Sequence, residues 1–244
     1  MTNSSDLSAI FLTFFCSGAF LLMAGGFAFA IVYALVIAPK LKQTGKRLKG
    51  DIGESRVAWV LKDLDPEKYI VLNDILFQRN AVRENEIATT QIDHVVVSVY
   101  GIFVIETKNY SGKIYGNENS PKWQQYVGKQ KYYFMNPLRQ NYAHTKVLSE
   151  LLYSQASTIG IVGADFNIYP IVAFTGSGEL KITVNGADVV YYQYVPNVIQ
   201  KYSQYPVLTR QQVESIARCI VHHNVNSEEK KREHIENIYN TRLK

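Results

Sequence analysis

The feature that most constrains this chain is the stretch from Ile10 to Ala38, IFLTFFCSGAFLLMAGGFAFAIVYALVIA, which contains no Asp, Glu, Lys or Arg. At roughly 1.5 Å per residue, a helix of this length exceeds the ~30 Å hydrocarbon core of a bilayer, so it can span once with tilt and is too short to cross twice. Gly18, Gly25 and Gly26 inside it are tolerated in lipid, which penalises unpaired backbone groups more than water does, and they permit helix packing. A cleaved secretory signal fits worse, because Asp6 stands where a basic n-region belongs and the apolar part is overlong. Lys40, Lys42, Lys46, Arg47 and Lys49 follow the stretch, whereas no Lys or Arg precedes it. That asymmetry predicts an N-terminus outside and a C-terminal domain in the cytoplasm, held at a bacterial-type inner or plasma membrane.

The expected organisation is an extracytoplasmic segment 1–9, a transmembrane helix 10–38, a basic juxtamembrane linker 39–49, an α/β domain 50–205 and a C-terminal helical extension 206–244. Cys16 lies in the span and Cys219 has no partner in the rest, so no disulfide framework is available and a reducing compartment suits the chain. The content of 47% hydrophobic and 12% aromatic residues argues against disorder. The net charge of +5 is matched by the juxtamembrane cluster, whose ordinary role is attraction to anionic lipid, so global charge does not by itself point to nucleic acid.

Val57, Val60, Leu61 and Leu64 recur at helical spacing and predict a first amphipathic helix over Gly50–Leu64. Tyr69–Phe77, Ile92–Val99 and Gly101–Lys108 are rich in β-branched and aromatic residues and predict three strands, with a polar surface connection over Arg79–Thr90. Lys113–Tyr115 and Lys129–Phe134 predict short strands. A helix follows from Pro137 to about Tyr153, then a buried strand Ile168–Thr175, strands Leu180–Val184 and Val189–Tyr192, and terminal helices Arg210–His223 and Glu228–Leu243. This order fits a mixed sheet flanked by helices.

The chemistry concentrates on two consecutive strands, where Gln91-Ile92-Asp93-His94 leads to Glu106-Thr107-Lys108. With Tyr100-Gly101 as a two-residue turn, Lys108 lies opposite Asp93 and Glu106 lies diagonal to it, and the period of two puts all three on one face. Gathered carboxylates repel one another and lose hydration unless they are paired or bind a cation. Two carboxylates with waters and phosphate oxygens form the hard shell that Mg²⁺ or Mn²⁺ accepts, and the ammonium can orient a water beside it. From spacing alone, a salt bridge among these residues at a sheet edge is at least as good an account. His94 points away from this face and reads as structural.

More residues join the pattern: Gly53-Glu54 in the first helix, Tyr100-Gly101-Ile102-Phe103-Val104-Ile105-Glu106-Thr107-Lys108-Asn109-Tyr110, then Gly112, Trp123 and Asn136-Pro137-Leu138-Arg139-Gln140. In this order they resemble the nuclease-related domain (NERD) family of the PD-(D/E)XK nuclease-like superfamily, over Gly50 to about Leu152. The resemblance implies a restriction-endonuclease-like α/β fold. It also implies that Asp93, Glu106 and Lys108 occupy the metal-binding and catalytic positions, and it points to Glu54 as a further acidic metal ligand or base and to Gln140 as a helix glutamine supporting the site. A favourable interaction with the helix dipole is a sufficient alternative account of Glu54. His144, one turn from Gln140, could face the same cleft and reads as a supporting or surface residue.

Lys113, Lys122, Lys129, Lys131, Arg139 and Lys146 interleave with Tyr110, Tyr115, Trp123, Tyr126, Tyr132 and Tyr133. Taken singly, such lysines belong to solvent and such aromatics to the core; only the set favours a phosphate-bearing polymer. No phosphate-cradling glycine loop with Lys-Ser/Thr, no His-Glu-x-x-His and no paired Cys-x-x-Cys is present, so a nucleotide-driven motor, a zincin and a zinc module lack support. The reading that follows is a membrane-anchored, Mg²⁺- or Mn²⁺-dependent nuclease acting on nucleic acid, DNA or RNA, in the cytoplasm. Its rivals are a catalytically silent nuclease-fold module that binds nucleic acid or a protein partner at the membrane, and a membrane protein whose charges only pair with one another.

Overall fold

A computed structural model describes Leu35 and residues 38–78, 89–163 and 166–225. The expected transmembrane helix lies almost wholly outside these residues, as do residues 79–88 of the expected surface connection and the expected helix Glu228–Leu243. Among the described residues no helix is long and apolar enough to cross a membrane. The chain divides into two units, Met1–Lys49 and Gly50–Lys244. Helix α1 runs over Ala38–Leu61, so the segment expected as a basic linker is itself helical. Its Lys, Leu, Gln and Arg residues have good helix propensity.

Among the described residues the second unit holds two sheets rather than the single one expected. The first has five strands, β1 (Tyr69–Gln78), β2 (Thr89–Ser98), β3 (Gly101–Lys108), β7 (Ile168–Phe174) and β9 (Asp188–Tyr191), in the order β1-β2-β3-β7-β9. β1, β2 and β3 pair antiparallel, while β7 is parallel to both β3 and β9. The near-continuous apolar runs of β2 and β3 are what a strand covered on both faces requires. One face packs on α2 (Pro137–Ser154), the short α3 (Ala156–Ile159) and α5 (Arg210–His222), with Leu148, Leu152, Val213, Ile216 and Ile220 against Val95, Val97, Ile102 and Val104. The other packs on α1 and α4 (Val195–Tyr202), with Val57, Leu61, Val195 and Ile199 against Val96, Phe103 and Ile105.

The second sheet contains β4 (Lys113–Asn117), β5 (Lys122–Val127), β6 (Gln130–Met135) and β8 (Glu179–Thr183), in the order β6-β5-β4-β8. It prolongs the first: the parallel β3–β7 ladder ends at Lys108↔Phe174, and the parallel β4–β8 ladder starts at Lys113↔Glu179. The break between them is held tight. Thr175 N–H donates to Lys108 O and Glu179 N–H to Gly112 O, and a Cβ on Gly176 would stand 2.0 Å from Tyr110 O, which only glycine avoids. Ile114 and Trp123 of the second sheet and Val172 and Phe174 of the first form a third buried cluster.

Two details of the β1-β2-β3 region differ from the expected geometry. Ser98 pairs with Gly101, so the turn is Val99-Tyr100, one residue earlier than expected. This moves each partner by two residues and leaves the faces unchanged, so the register carried one step past His94↔Ile105 sets Asp93 opposite Glu106 instead of Lys108. In addition, the β1–β2 ladder skips the opposed residues Asp74 and Asp93, and Asp74 has a left-handed φ of 56°. Across this point the residues facing the α2 side change parity, from Ile70 and Leu72 to Ile75 and Phe77 on β1, and from Val97 and Val95 to Ile92 on β2. The strand is therefore irregular at Asp93, where a strict period of two was expected.

Candidate functional site

Glu106 is the centre of the cluster. It is 2% exposed at the end of an otherwise apolar strand, and partners from two directions hold its carboxylate. Lys108 Nζ, two residues on along the same face, donates to Oε1. His144 Nε2, on α2, stands 3.1 Å from Oε2. Burial pushes the Glu106 carboxyl up, but the Lys108 ammonium and His144 outweigh burial and hold it at about 2. Lys108 in turn donates to Gln140 Oε1 at 3.0 Å. Burial disfavours its charge, yet Glu106, Tyr110 and Asp93 keep its pKa above the ordinary lysine value.

Helix α2 brings Gln140 and His144 here because they are one turn apart and the helix is pinned at its start and along its length. Asn136 caps it, accepting from Leu138 N–H at 2.9 Å, with Pro137 in the first turn. Asn141, fully buried, donates from Nδ2 to Val104 O and Ile171 O, each at 2.9 Å, and so joins the helix to both β3 and β7. His144 is oriented from behind by Thr90, whose Oγ1 lies 2.8 Å from Nδ1. His144 is thus a support for Glu106, and Thr90, expected in the surface connection, is a buried strand residue completing that support.

Asp93 reaches the same place from β2, where Thr107 N–H donates to its Oδ2 at 2.7 Å. Its carboxyl is pushed well above the ordinary value by burial, then by Glu106 and Glu54, and Lys108 and the Thr107 N–H only partly offset this. Glu54 on α1 feels the same field: burial, then Asp74, Asp51 and Glu106, raise it to about 7. Asp74 is an acidic member that the sequence reading missed. Its Oδ1 accepts from Gln91 Nε2 at 2.8 Å, and the signal for it was the polar pair Asn73-Asp74 interrupting the apolar run of β1. His94 is 1% exposed with Nδ1 2.8 Å from Asn73 Oδ1, and burial lowers its pKa to about 4, which fits the structural role expected of it.

Glu54, Asp93, Glu106, Lys108 and Gln140 are therefore gathered from four different stretches of chain, α1, β2, β3 and α2. Among the described residues no three His, Cys, Asp or Glu side chains already enclose a common metal position. The donor chemistry nevertheless suits a hard divalent cation. Carboxylate oxygens dominate it, and the two acids driven upward, Glu54 and Asp93, are in the state that a nearby cation relieves.

The family model described as nuclease-related domain matches residues 49–175, running past α2 to the end of β7. An uncharacterized protein of Bacillus anthracis is 32% identical over 218 residues, which cover 87% of this chain and 95% of that protein. No solved structure matches the chain.

Proposed function

The chain belongs to the nuclease-related domain family, and from that premise we propose that it is a metal-dependent phosphodiester hydrolase acting on DNA or RNA, tethered to a membrane through residues 10–38. Membership implies a nuclease-like fold and, in general, a divalent metal cofactor. The observation that carries the reading is the charged cluster: Glu106 held ionised by Lys108 and His144, with Asp93 and Glu54 strained upward beside it.

Asp93, Glu106 and Glu54 would hold Mg²⁺ or Mn²⁺, which when bound neutralises charge on the phosphate and makes water a better nucleophile. Lys108, steadied by Gln140, donates to the attacking water or to the phosphate oxygens as negative charge builds there. The Thr107 N–H keeps Asp93 turned inward, and the Thr90–His144 pair keeps Glu106 from rotating away. One observation favours the rival reading of a silent binding module: Lys108 already donates to Glu106 Oε1, and His144 Nε2 stands 3.1 Å from Oε2.

The deciding experiment is cleavage of labelled single- and double-stranded DNA and RNA by the full chain in Mg²⁺ or Mn²⁺ against chelator, beside Asp93→Asn and Lys108→Ala. Metal-dependent cutting that falls by about a hundredfold or more in both variants supports the nuclease. A folded protein that takes up metal and cuts none of the substrates moves the assignment to the binding module.

A further inference from the structure

We propose that the outward face of the second sheet is a base-stacking platform for single-stranded nucleic acid. It is a binding surface separate from the carboxylate cluster, and the choice of polymer rests on the nuclease reading above. Strand register decides which side chains share this face. Tyr133, Gln124, Tyr115 and Lys181 form one row across β6, β5, β4 and β8, and Lys131, Tyr126, Lys113 and Glu179 form the next. The opposite face carries the core contacts of this sheet, since Ile114 and Trp123 are 0% exposed and Phe134, Leu180 and Ile182 pack with them. The outward tyrosines therefore have no core to serve. Tyr133 is 60% exposed and Tyr115 39%.

The arrangement has the chemistry of its ligand. Tyr115 stands edge-on to Tyr126 with ring centroids 5.5 Å apart, beside a groove of about 610 Å³ that Lys113 and Gln124 also line. Lys131 Nζ lies 4.9 Å from the Tyr133 ring centre and 5.5 Å from that of Tyr126, so cation and ring are presented together. Lys113, Lys122, Lys131 and Lys181 face outward against Glu179 alone, and Glu179 is paired to Lys181. A protein partner of ordinary composition would find the rings separated by lysine and glutamine. A polymer that alternates flat apolar rings with anionic linkages matches Tyr133, Tyr126 and Tyr115, one outward ring on each of β6, β5 and β4 with lysines between them, strands being about 4.8 Å apart. A duplex keeps its base faces stacked internally and could use only the lysines.

The test is equilibrium binding of fluorescent dT and U oligomers of about 12 nucleotides, and of a duplex of equal length, to the full chain in chelator, read by anisotropy. The single strand should bind at least about tenfold tighter than the duplex at equal salt. Tyr115→Ser and Tyr133→Ser should each weaken it about tenfold, while Tyr115→Phe and Tyr133→Phe keep wild-type affinity because the ring carries the contact. Lys131→Gln should reduce the slope of log affinity against log salt by about 0.7. Tighter binding of dT names DNA as the ligand, and of U, RNA. Equal binding by the serine variants, a preference for duplex, or no binding by folded wild-type protein would overturn the platform. Cleavage measured in parallel separates the two ideas: tyrosine-dependent binding by a protein that cuts nothing upholds the platform and sinks the nuclease reading, whereas a cutting protein whose serine variants bind normally does the reverse.

Discussion

Glu54 carries the clearest consequence at the scale of single residues. Burial and the neighbouring carboxylates Asp74, Asp51 and Glu106 outweigh Lys108 and raise its folded pKa from 4.5 to about 7. A raised pKa means that the native state binds the proton more tightly, so this contribution to stability is complete below pH 4.5 and is lost as pH climbs through about 7. In chelator, wild-type protein should lose up to about 3 kcal/mol relative to Glu54→Gln over that window. Unfolding midpoints measured across a pH series check this, and parallel profiles for the two proteins would count against it. His144 acts through Glu106. His144→Ala removes the partner of Oε2 and leaves the Thr90 hydroxyl buried without its ring nitrogen, which should cost about 1–3 kcal/mol in stability. Any cleavage activity should drop more than tenfold, and His144→Gln should recover part of both losses; an unchanged rate would show that Lys108 alone suffices to hold Glu106.

At the scale of elements, the position of α1 relative to the first sheet depends on Gly53. A Cβ there would stand 2.8 Å from Thr175 Oγ1 and 2.9 Å from Asn109 Cβ, and three residues on Arg56 Nη1 donates to Thr175 O at 2.6 Å. The helix is thus drawn onto the β3 and β7 ends by one residue and allowed to approach by the other. Gly53→Ala should destabilise by about 1–3 kcal/mol through overpacking, although alanine is about 1 kcal/mol better than glycine in an unconstrained helix. A thermal melt that showed stabilisation instead would mean that α1 is not clamped there. Other elements were less visible in advance. β5 escapes a periodicity search because Lys122–Val127 carries Gln124 and Gln125 between Trp123 and Tyr126, and α4 is only 8 residues long. In both, tertiary packing of Trp123 and of Val195 and Ile199 outweighs weak local signals.

At the scale of the whole molecule, a cation that satisfies the carboxylate cluster should stabilise the full chain. Mg²⁺ or Mn²⁺ at a hundred times its dissociation constant should add about 2.7 kcal/mol, seen as a rise in melting temperature that chelator reverses and Asp93→Asn abolishes. No shift at any metal concentration would leave the charges as an ion-pair network. The sequence by itself determined the uncharged run 10–38, the three consecutive strands from Tyr69 to Lys108, the helix at Pro137 and the order Glu106-Thr107-Lys108, because apolar periodicity and near-neighbour geometry are properties of short stretches of chain. The membrane tether read from that run concerns residues almost wholly outside those described, and retention of the full chain in membranes after an alkaline wash is its test. Lys108 beside Glu106 follows from the period of two, and tertiary structure decided the rest of the cluster. Asp74 enters through a kink that two strands share, His144 and Thr90 arrive from segments 54 residues apart, and the turn at Val99-Tyr100 set Asp93 opposite Glu106. The same is true of the division into two sheets, which depends on Tyr110 lying against Gly176. These are contacts between distant parts of the chain, and their free energy comes from burying the faces of α1 and α2 on one sheet, a quantity that no local stretch of sequence contains.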